Sequence, residues 1–151
     1  MFIPLFLDFD GVLHPEHCPE DLHLCRLPLF EQALNELSLL HVVVSSTWRE
    51  RGVEILRAGL QPQLRERVLG VTPQYSDLGE IPPELHYFGR EAECVAWLRR
   101  NACFGRPWLA LDDRPWLFRP FHKNLILVDG KKGLQAPDVQ TMRDRYAQAL
   151  S

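Results

Sequence analysis

The sequence lacks several features that would exclude a globular enzyme. No apolar run approaches the roughly 18–20 residues that a membrane-spanning helix needs, so we expect no membrane segment. The first residues contain neither a basic segment nor a cleavage site, so we expect no secretory signal and a cytoplasmic location. No repeat, low-complexity tract or Ser/Gly linker interrupts the 151 residues, which predicts a single domain over residues 1–151.

Cysteine is scarce, with four residues in the chain. A core of this size does not need disulfide bonds for stability, so we expect reduced thiols. Residue types that bind zinc are concentrated in one short stretch, at His14, His17, Cys18, His23 and Cys25. Their spacing matches no common zinc-binding pattern, so the sequence alone favours ordinary thiols and histidines over a zinc site.

Positive charge is not in excess over the whole chain, which has a net charge of −3. The protein is therefore not a nucleic-acid binder by overall charge. Hydrophobic residues make up 46% and charged residues 25% of the chain, and this balance is typical of a folded globular protein rather than a disordered one.

Apolar runs alternate with amphipathic segments along the chain. Strands are predicted at residues 2–7, 41–46, 67–71, 108–111 and 125–128, and helices at 28–40, 50–58, 90–100 and from 137 onward. Continuous apolar runs are typical of strands that are buried on both faces of a parallel sheet. The pattern predicts an α/β fold, a Rossmann-like parallel sheet of about five strands flanked by helices on both faces.

The helical periodicity also predicts which residues face the core. The inner face of the first helix comprises Phe30, Ala33, Leu34 and Leu37. The inner face of the helix at 90–100 comprises Ala92, Val95 and Ala96. The inner face of the last helix comprises Val139, Met142, Tyr146 and Leu150. Residues 72–88 contain three prolines and a glycine and are predicted to form a loop.

Polar residues stand where three of the predicted strands end. The three groups are Asp8-Phe9-Asp10-Gly11, Ser45-Ser46 and Asp112-Asp113. Taken alone, each group is more typical of a turn or a helix cap than of a catalytic site. Because open parallel sheets bind ligands outside the carboxyl ends of their strands, three such groups in one sheet indicate an active site. Strand alternation allows only one of Ser45 and Ser46 to point into it.

The acidic residues of these groups predict a metal-assisted reaction. Asp8, Asp10 and Asp113 would bring three carboxylates into one cleft, where they would repel each other. Mg²⁺, a hard cation that prefers oxygen ligands, would remove this repulsion. A carboxylate beside such an ion can act as a nucleophile on phosphorus, and a second one two residues on can serve as general acid and base.

These motifs resemble those of the haloacid dehalogenase (HAD) superfamily. LFLDFDGVLHP resembles its first motif, the DxDGV/T signature, VVVSSTWR its second motif, and LALDDRPW its fourth. The third motif is a Lys, less often an Arg, that precedes the fourth. The chain has no Lys between residues 1 and 122, and Arg90, 22 residues before Asp112, stands in that place. The chain is also similar to a small, capless branch, a HAD-like domain of bacterial and RNA-repair proteins.

The resemblance implies a role for each matching position. Asp8 would be the nucleophile that forms an aspartyl-phosphate, and Asp10 would protonate the leaving group and then activate water. Either Ser45 or Ser46 would hydrogen-bond the transferring phosphoryl group. The implied Mg²⁺ ligands are Asp8, Asp10 through its backbone carbonyl, and Asp113, with Asp112 close by.

Arg90 has a second, independent peculiarity. It falls in the first turn of a predicted helix, where the helix dipole disfavours a cation. A phosphate group or the Asp8 carboxylate nearby would remove that penalty; the alternative is a surface arginine paired with Glu91, Glu93 or Glu54. Residues 12–44, between the first two motifs, leave no room for a substantial cap, so we expect a minimal cap and an open site.

A local basic segment suggests the class of substrate. Residues 99–132 contain eight Lys and Arg against three Asp, and Arg114, Arg119, His122 and Lys123 follow the acidic pair with Trp116 and Phe118 between them. The candidate rim of the site comprises Arg49, Arg114, Trp116, Arg119 and Lys123. Aromatic residues interleaved with cations are typical of surfaces that bind single-stranded nucleic acid, although packing of Trp116 and Phe118 against the core is the commoner arrangement. Arg49 and Arg114 are candidate phosphate-binding residues, because the planar guanidinium suits phosphate oxygens.

The sequence therefore predicts a Mg²⁺-dependent phosphomonoester hydrolase acting through an aspartyl-phosphate, with a nucleotide or nucleic-acid phosphate end as substrate. The alternative from another class is a non-catalytic HAD-like domain that binds a phospho-ligand or a protein. Dehalogenase chemistry is disfavoured, because Asp10 and the acidic pair suit metal-dependent phosphoryl transfer. The substrate itself and the oligomeric state remain open.

Overall fold

A single sheet forms the centre of the computed structural model, which describes all residues from Met1 to Ser151. Its strands are β1 (Ile3–Leu7), β2 (Leu40–Val44), β3 (Val68–Val71), β4 (Leu109–Asp112) and β5 (Leu125–Leu127). All paired strands are parallel, in the order β3-β2-β1-β4-β5. The predicted fold class, a five-stranded parallel Rossmann-like sheet, is confirmed.

Four helices cover the two faces of the sheet unequally. They are α1 (Leu27–Glu36), α2 (Arg49–Gly59), α3 (Gly89–Arg100) and α4 (Ala136–Leu150). Helix α3 packs on one face, where Phe6 and Ala110 of the central strands contact Trp97 in the smaller of two hydrophobic clusters. The larger cluster lies on the opposite face and contains residues of α1, α2 and α4. Because side chains alternate along a strand, β1 contributes to both clusters and is buried throughout.

Helix α1 is shorter than predicted. It ends at Glu36, and β2 begins at Leu40, whereas the periodicity predicted a helix to residue 40. The guanidinium of Arg67 donates hydrogen bonds to the carbonyl oxygens of Leu34 and Leu37, at 2.6 and 2.8 Å, and to that of Leu40 at 2.9 Å. A cation that satisfies the free carbonyls at a helix end stabilises termination at this point.

The predicted inner face of α3 is partly wrong. Ala92 is buried, but Val95 and Ala96 are only half-buried, while Trp97 and Leu98 are buried against the sheet. The prediction failed because it assigned the charged residues of this helix to solvent. In the structure Arg90, Glu91 and Glu93 are all buried and find charged partners in distant segments.

The predicted inner face of α4 is right in its first half. Val139 and Met142 are buried, and the half-buried Tyr146 accepts a hydrogen bond on its hydroxyl from the Leu39 amide, at 3.2 Å. Leu150 is 49% exposed, so its place on the inner face was wrong. Ala149, in the same turn, packs against the core instead.

The loops between the elements hold no further domain-sized insertion. Residues 8–26, between β1 and α1, contain one short 3-10 turn at Glu20–Leu22. Residues 72–88 form the predicted loop, with 3-10 turns at Tyr75–Asp77 and Pro83–Leu85. No helix combines the length and the apolar character that crossing a bilayer requires. All four cysteines are free thiols.

Candidate active site

Three neighbouring strands bring the predicted polar groups together. Strand β1 is in register with both neighbours up to its last residue, since Leu7 pairs with Val44 of β2 and with Leu111 of β4. Residues at equivalent positions of parallel strands lie side by side at the same edge. The residues that come next in the three strands are Asp8, Ser45 and Asp112.

A cluster of three carboxylates lies at this edge. Asp8, Asp112 and Asp113 have oxygen atoms that all lie within 4.8 Å of one another. The only cation in ion-pair contact with the cluster is Arg90, whose Nη1 lies 3.5 Å from Asp8 Oδ1 and 2.9 Å from Asp112 Oδ2. The fully ionised cluster would therefore have three negative charges against one positive charge.

Burial and mutual repulsion raise the pKa of two of these acids, Asp8 and Asp112. Burial, together with the neighbouring charge of Asp112, raises the pKa of Asp8 to about 8 despite the opposing effect of Arg90. Burial likewise raises the pKa of Asp112 to about 6, although Arg90 and the amide of Arg114 stabilise its ionised form. A bound cation would reverse both shifts, since it favours the ionised carboxylates.

The donor set of the cluster fits a hard divalent cation. All the donors are carboxylate oxygens, which Mg²⁺ and Ca²⁺ prefer. Asp113 Oδ1 is buried and has no hydrogen-bond partner, so one ligand atom is left for an ion. The Asp113 carboxylate packs against the backbones of Gly11 and Gly130, where a Cβ atom would collide with it. Gly11 also has φ +82°, which only glycine adopts readily.

Arg90 is part of the cluster and not a surface residue. Its side chain is buried at the start of α3, where it also donates a hydrogen bond of 2.6 Å to the carbonyl of Ser45. The nearest glutamate oxygen, Glu93 Oε1, is 3.7 Å from Nε, farther than the oxygen of Asp112. The alternative of a surface arginine is therefore wrong, although Glu93, one of the partners it named, does lie within ion-pair distance. The carboxylates of Asp8 and Asp112 offset the unfavourable helix position.

Asp10 is fixed by two ring N–H groups. His14 Nε2 lies 2.8 Å from Oδ1, and Trp48 Nε1 donates to Oδ2 at 3.1 Å. Partial burial opposes ionisation, but the hydrogen bonds from His14 and Trp48 prevail and lower the pKa of Asp10. The carboxylate is therefore ionised and held in one orientation, 40% exposed at the rim of the cluster.

Sequence reasoning missed His14 and Trp48 as partners of Asp10. The spacing of Asp10 and His14 marks no regular element, and they meet through an irregular bridge in which the Gly11 amide bonds the His14 carbonyl at 2.9 Å. Trp48 follows β2, and its indole packs on Phe9 with ring centroids 5.0 Å apart. The contact joins two loops, so no local sequence signal could have revealed it.

The two candidate serines have different partners. Ser45 Oγ lies 3.9 Å from the buried Cys94 Sγ, on the α3 side of the sheet. Ser46 Oγ accepts a hydrogen bond from the amide of Trp48, at 3.3 Å. Both serines are buried at the carboxyl end of β2, and their hydroxyls point in different directions, as strand alternation predicts.

Arg49, a predicted phosphate-binding residue, is occupied by other groups. Its guanidinium forms an ion pair with Glu93 at 2.9 Å and donates to the carbonyl of Thr72 at 3.2 Å. Arg49 lies beside the carboxyl end of β2, as expected, but its charge is neutralised by a buried glutamate. A phosphate group would have to compete with that glutamate for it.

Arg114 is the predicted phosphate-binding residue that the structure leaves free. Its side chain is exposed and forms no ion pair, and with Asp10 and Asp113 it lines a cavity of about 190 Å³. Trp116 nearby is 66% exposed and remains available to a ligand, whereas Phe118 is buried in the core. Of the two interleaved aromatic residues, only the first can form part of the rim.

The remaining predicted rim residues do not surround the cluster. Arg119 contacts Glu91 Oε2 at 2.6 Å, and His122 contacts the same atom at 3.2 Å, so both are partners of a buried glutamate. Lys123 precedes β5 and lies at the amino end of the sheet, opposite the carboxylates. The prediction failed because residues 119–124 return along the sheet from its carboxyl end to its amino end.

Comparison with known proteins gives one match, and it covers most of the chain. A family model described as the HAD domain in Swiss Army Knife RNA repair proteins matches residues 4–139. These residues include β2 to β5 in full, β1 from its second residue, and the whole carboxylate cluster. No curated protein and no solved structure matches the chain.

Proposed function

Because the chain belongs to the haloacid dehalogenase superfamily, in the family of HAD domains of Swiss Army Knife RNA repair proteins, we propose that it is a Mg²⁺-dependent phosphomonoester hydrolase. The reaction proceeds through an aspartyl-phosphate, an acyl phosphate formed on the Asp8 carboxylate as the leaving oxygen departs from phosphorus. Membership of the superfamily suggests phosphoryl transfer and a metal ion. We propose in addition that the ion is Mg²⁺, that Asp8 carries the intermediate and that the substrate is a phosphorylated nucleic-acid end.

The single observation that carries the proposal is the charge imbalance at the carboxyl end of β1 and β4. Three carboxylates have one cation among them, and Asp113 Oδ1 is buried without a partner. A cluster built only for stability would have satisfied this atom, because a buried, unpaired carboxylate oxygen costs several kcal/mol. A divalent cation held by Asp8, the Asp10 backbone carbonyl and Asp113 would remove the imbalance, with Asp112 adjoining it.

The chain supplies the nucleophile and fixes its position. Asp8 Oδ1 accepts a hydrogen bond of 2.8 Å from the Phe9 amide, and Arg90 lies beside the same carboxylate. Asp8 attacks phosphorus in its ionised form, so the proton favoured by burial has to leave first. When bound, the cation supplies positive charge that favours ionised Asp8 and neutralises the phosphoryl oxygens.

Asp10 moves the protons of the reaction. In the free site its carboxylate is ionised and hydrogen-bonded by His14 and Trp48, which suits it to accept a proton from the attacking water in the second step. In the first step the same carboxyl has to donate a proton to the leaving oxygen. A phosphate dianion arriving beside Asp10 favours that protonated form, because like charges raise a carboxyl pKa.

The remaining residues bind the phosphoryl group. Arg90 holds the peptide of Ser45 and the carboxylates of Asp8 and Asp112 in one arrangement, and its charge balances the group that is transferred. A hydroxyl of Ser45 or Ser46 donates a hydrogen bond to a phosphoryl oxygen. Only one of the two does so, since their hydroxyls point in different directions at the end of β2.

A phosphorylated nucleic-acid end is the proposed substrate class. The matched family is described by its occurrence in RNA repair proteins. At the site itself, the exposed Arg114 lines the cavity beside Asp10, and the exposed Trp116 offers a surface on which a base can stack. No cap domain lies in residues 8–26, so the entrance can accept a polymer.

The experiment measures kcat/KM for 3′- and 5′-phosphorylated oligonucleotides, a mononucleotide and a hexose phosphate, each with Mg²⁺ and with EDTA. We expect Mg²⁺-dependent hydrolysis that is fastest on an oligonucleotide. Arg114→Ala should lower kcat/KM for the oligonucleotide selectively. Arg100→Ala is the matched control, because this exposed arginine is the last residue of α3, at the end of the helix away from Arg90 and the carboxylate cluster.

Two outcomes contradict the proposal at different levels. Preference for the hexose phosphate, with no effect of Arg114→Ala, would reject the nucleic-acid substrate and leave the hydrolase intact. No hydrolysis of any phosphomonoester, in a protein that still binds Mg²⁺ and phosphorylated ligands, would favour the non-catalytic binding domain.

A further inference from the structure

A second group of metal-binding side chains lies outside the carboxylate cluster, in the loop between β1 and α1. His14, Cys18 and His23 each have one ligand atom, and these three atoms all lie within 4.8 Å of one another. The three residues line the same cavity of about 190 Å³, next to Asp10. The fold therefore brings together residues whose spacing along the chain indicated no site.

The ligand types select a different metal from that of the acidic cluster. Two imidazole nitrogens and one thiolate are borderline and soft donors, which bind Zn²⁺ in preference to Mg²⁺ or Ca²⁺. Three protein ligands leave the fourth tetrahedral position for water or another group. The cavity wall formed by Glu16 and His17 offers further donors close to that position.

The hydrogen bonds of His14 identify its ligand atom. The amide of Leu24 can only donate, so the Nδ1 atom that it contacts at 3.2 Å is an acceptor, and the proton of the neutral ring is on Nε2. Nε2–H then donates to Asp10 Oδ1 at 2.8 Å. A histidine whose other nitrogen is held by a carboxylate is the usual arrangement around protein-bound zinc. Nδ1 adjoins the His23–Leu24 peptide, on the side of the second histidine.

The second histidine lies directly against the first. The rings of His14 and His23 are stacked, with centroids 4.4 Å apart and an interplanar angle of 18°. Both rings also pack against the indole of Trp48, at centroid distances of 5.6 and 5.4 Å. The lone pairs of stacked imidazoles run nearly parallel, so metal binding requires His14 Nδ1 to give up the hydrogen bond from Leu24 and the His23 ring to turn until its nitrogen faces the same point.

We propose that His14, Cys18 and His23 bind a Zn²⁺ ion through His14 Nδ1, the Cys18 thiolate and a ring nitrogen of His23. The ion ties together the irregular loop of residues 8–26 and, through His14, fixes the orientation of Asp10. The site shares no ligand atom with the carboxylate cluster assigned to Mg²⁺, although it adjoins Asp10 through His14.

Cobalt(II) titration of the metal-free full-length chain tests the proposal without using activity. We expect one Co²⁺ per chain with the visible bands of tetrahedral coordination and a thiolate-to-cobalt charge-transfer band, all lost on addition of Zn²⁺. Cys18→Ser should abolish the charge-transfer band. His23→Ala should weaken Co²⁺ binding by at least the roughly 10-fold that loss of a supporting partner costs at metal sites.

Cys25→Ser is the matched control, because Cys25 is an exposed thiol of the same loop outside the three-residue group. We expect its spectrum to equal that of the parent. Asp113→Ala should also keep the cobalt bands, which separates this site from the carboxylate cluster. Absence of a charge-transfer band in the parent, its survival in Cys18→Ser, or its equal loss in Cys25→Ser would each overturn the assignment.

Discussion

Two consecutive residues of α3 belong to two buried charge clusters with opposite balances. Arg90 contacts Asp8 and Asp112, in a cluster where negative charge is in excess. Glu91 contacts Arg119 and His122, so that a single carboxylate has two nitrogen partners. Both side chains are buried in the same helical turn.

The carboxyl pKa values shift in opposite directions in the two clusters. Burial and like charge raise the pKa of Asp8, so the ionised cluster around Arg90 is unfavourable until a ligand neutralises it. Burial alone would also raise the pKa of Glu91, but hydrogen bonds from His122 and Arg119 lower it to about 2. The second cluster is complete without a ligand and stabilises the fold; the first is incomplete, as functional sites commonly are.

The largest expected effect is the loss of turnover in Asp8→Asn. The amide cannot attack phosphorus and is a poor metal ligand, so kcat should fall by at least about 10³-fold, as for other nucleophile replacements. The free energy of unfolding without metal should not decrease, because the substitution removes a repelled charge. Steady-state kinetics and denaturant melts check both expectations, and a variant that turns over like its parent would refute the role of Asp8.

Asp113→Ala should have the next largest effect. It removes the carboxylate whose Oδ1 has no protein partner, so Mg²⁺ affinity should fall by at least the roughly 10–100-fold that loss of an outer-shell partner costs. Activity should recover in part at high Mg²⁺. Calorimetric titration checks the affinity, with Asp129→Ala as a control that removes a nearby acid; unchanged Mg²⁺ binding in Asp113→Ala would contradict the ligand assignment.

Glu91→Gln should disrupt the second cluster, and we expect it to lower stability while changing kcat little. Arg119 and His122 would lose their carboxylate, which should lower the free energy of unfolding by about 1–3 kcal/mol. The estimate is below that for a fully buried pair, because the Arg119 side chain is 47% exposed. Chemical denaturation checks the value, and kcat should change far less than in Asp8→Asn. A Glu91→Gln variant that keeps its stability but loses activity would contradict the assignment of the Glu91 cluster to stability and of the Arg90 cluster to catalysis.

The smallest expected effect is the pH dependence of that stability. The folded-state pKa of Glu91 is about 2, below its ordinary value of 4.5, so its contribution is present in full above pH 4.5. It is lost as the pH falls from 4.5 toward 2, because protonation then favours the unfolded chain. The stability difference between the parent and Glu91→Gln should shrink over this range; a constant difference would contradict the ionised Glu91.

The sequence predicted the incomplete cluster better than the complete one. Asp8 and Ser45 follow apolar strands and Asp112 ends one, so a parallel sheet places all three at the same edge. The strand order β2-β1-β4 then makes them neighbours. The partners of Glu91 come from residues 119–122, which no periodicity links to α3. For the same reason the prediction that the basic segment forms one rim was wrong. Arg119 is in an ion pair, and Lys123 lies at the other end of the sheet.

The most direct test of the account is the intact mass of Asp10→Asn after mixing with Mg²⁺ and an aryl phosphate, whose phenolate leaves without needing the proton that Asp10 supplies. Without Asp10 to activate water, the phosphoryl group transferred to Asp8 should persist, since loss of a general base slows the second step by about 10²–10⁴-fold. We predict one phosphoryl adduct per chain, on the peptide that contains Asp8, and no adduct in the variant that also carries Asp8→Asn. An adduct on another residue, or none in a protein that binds Mg²⁺ and substrate, would contradict the account.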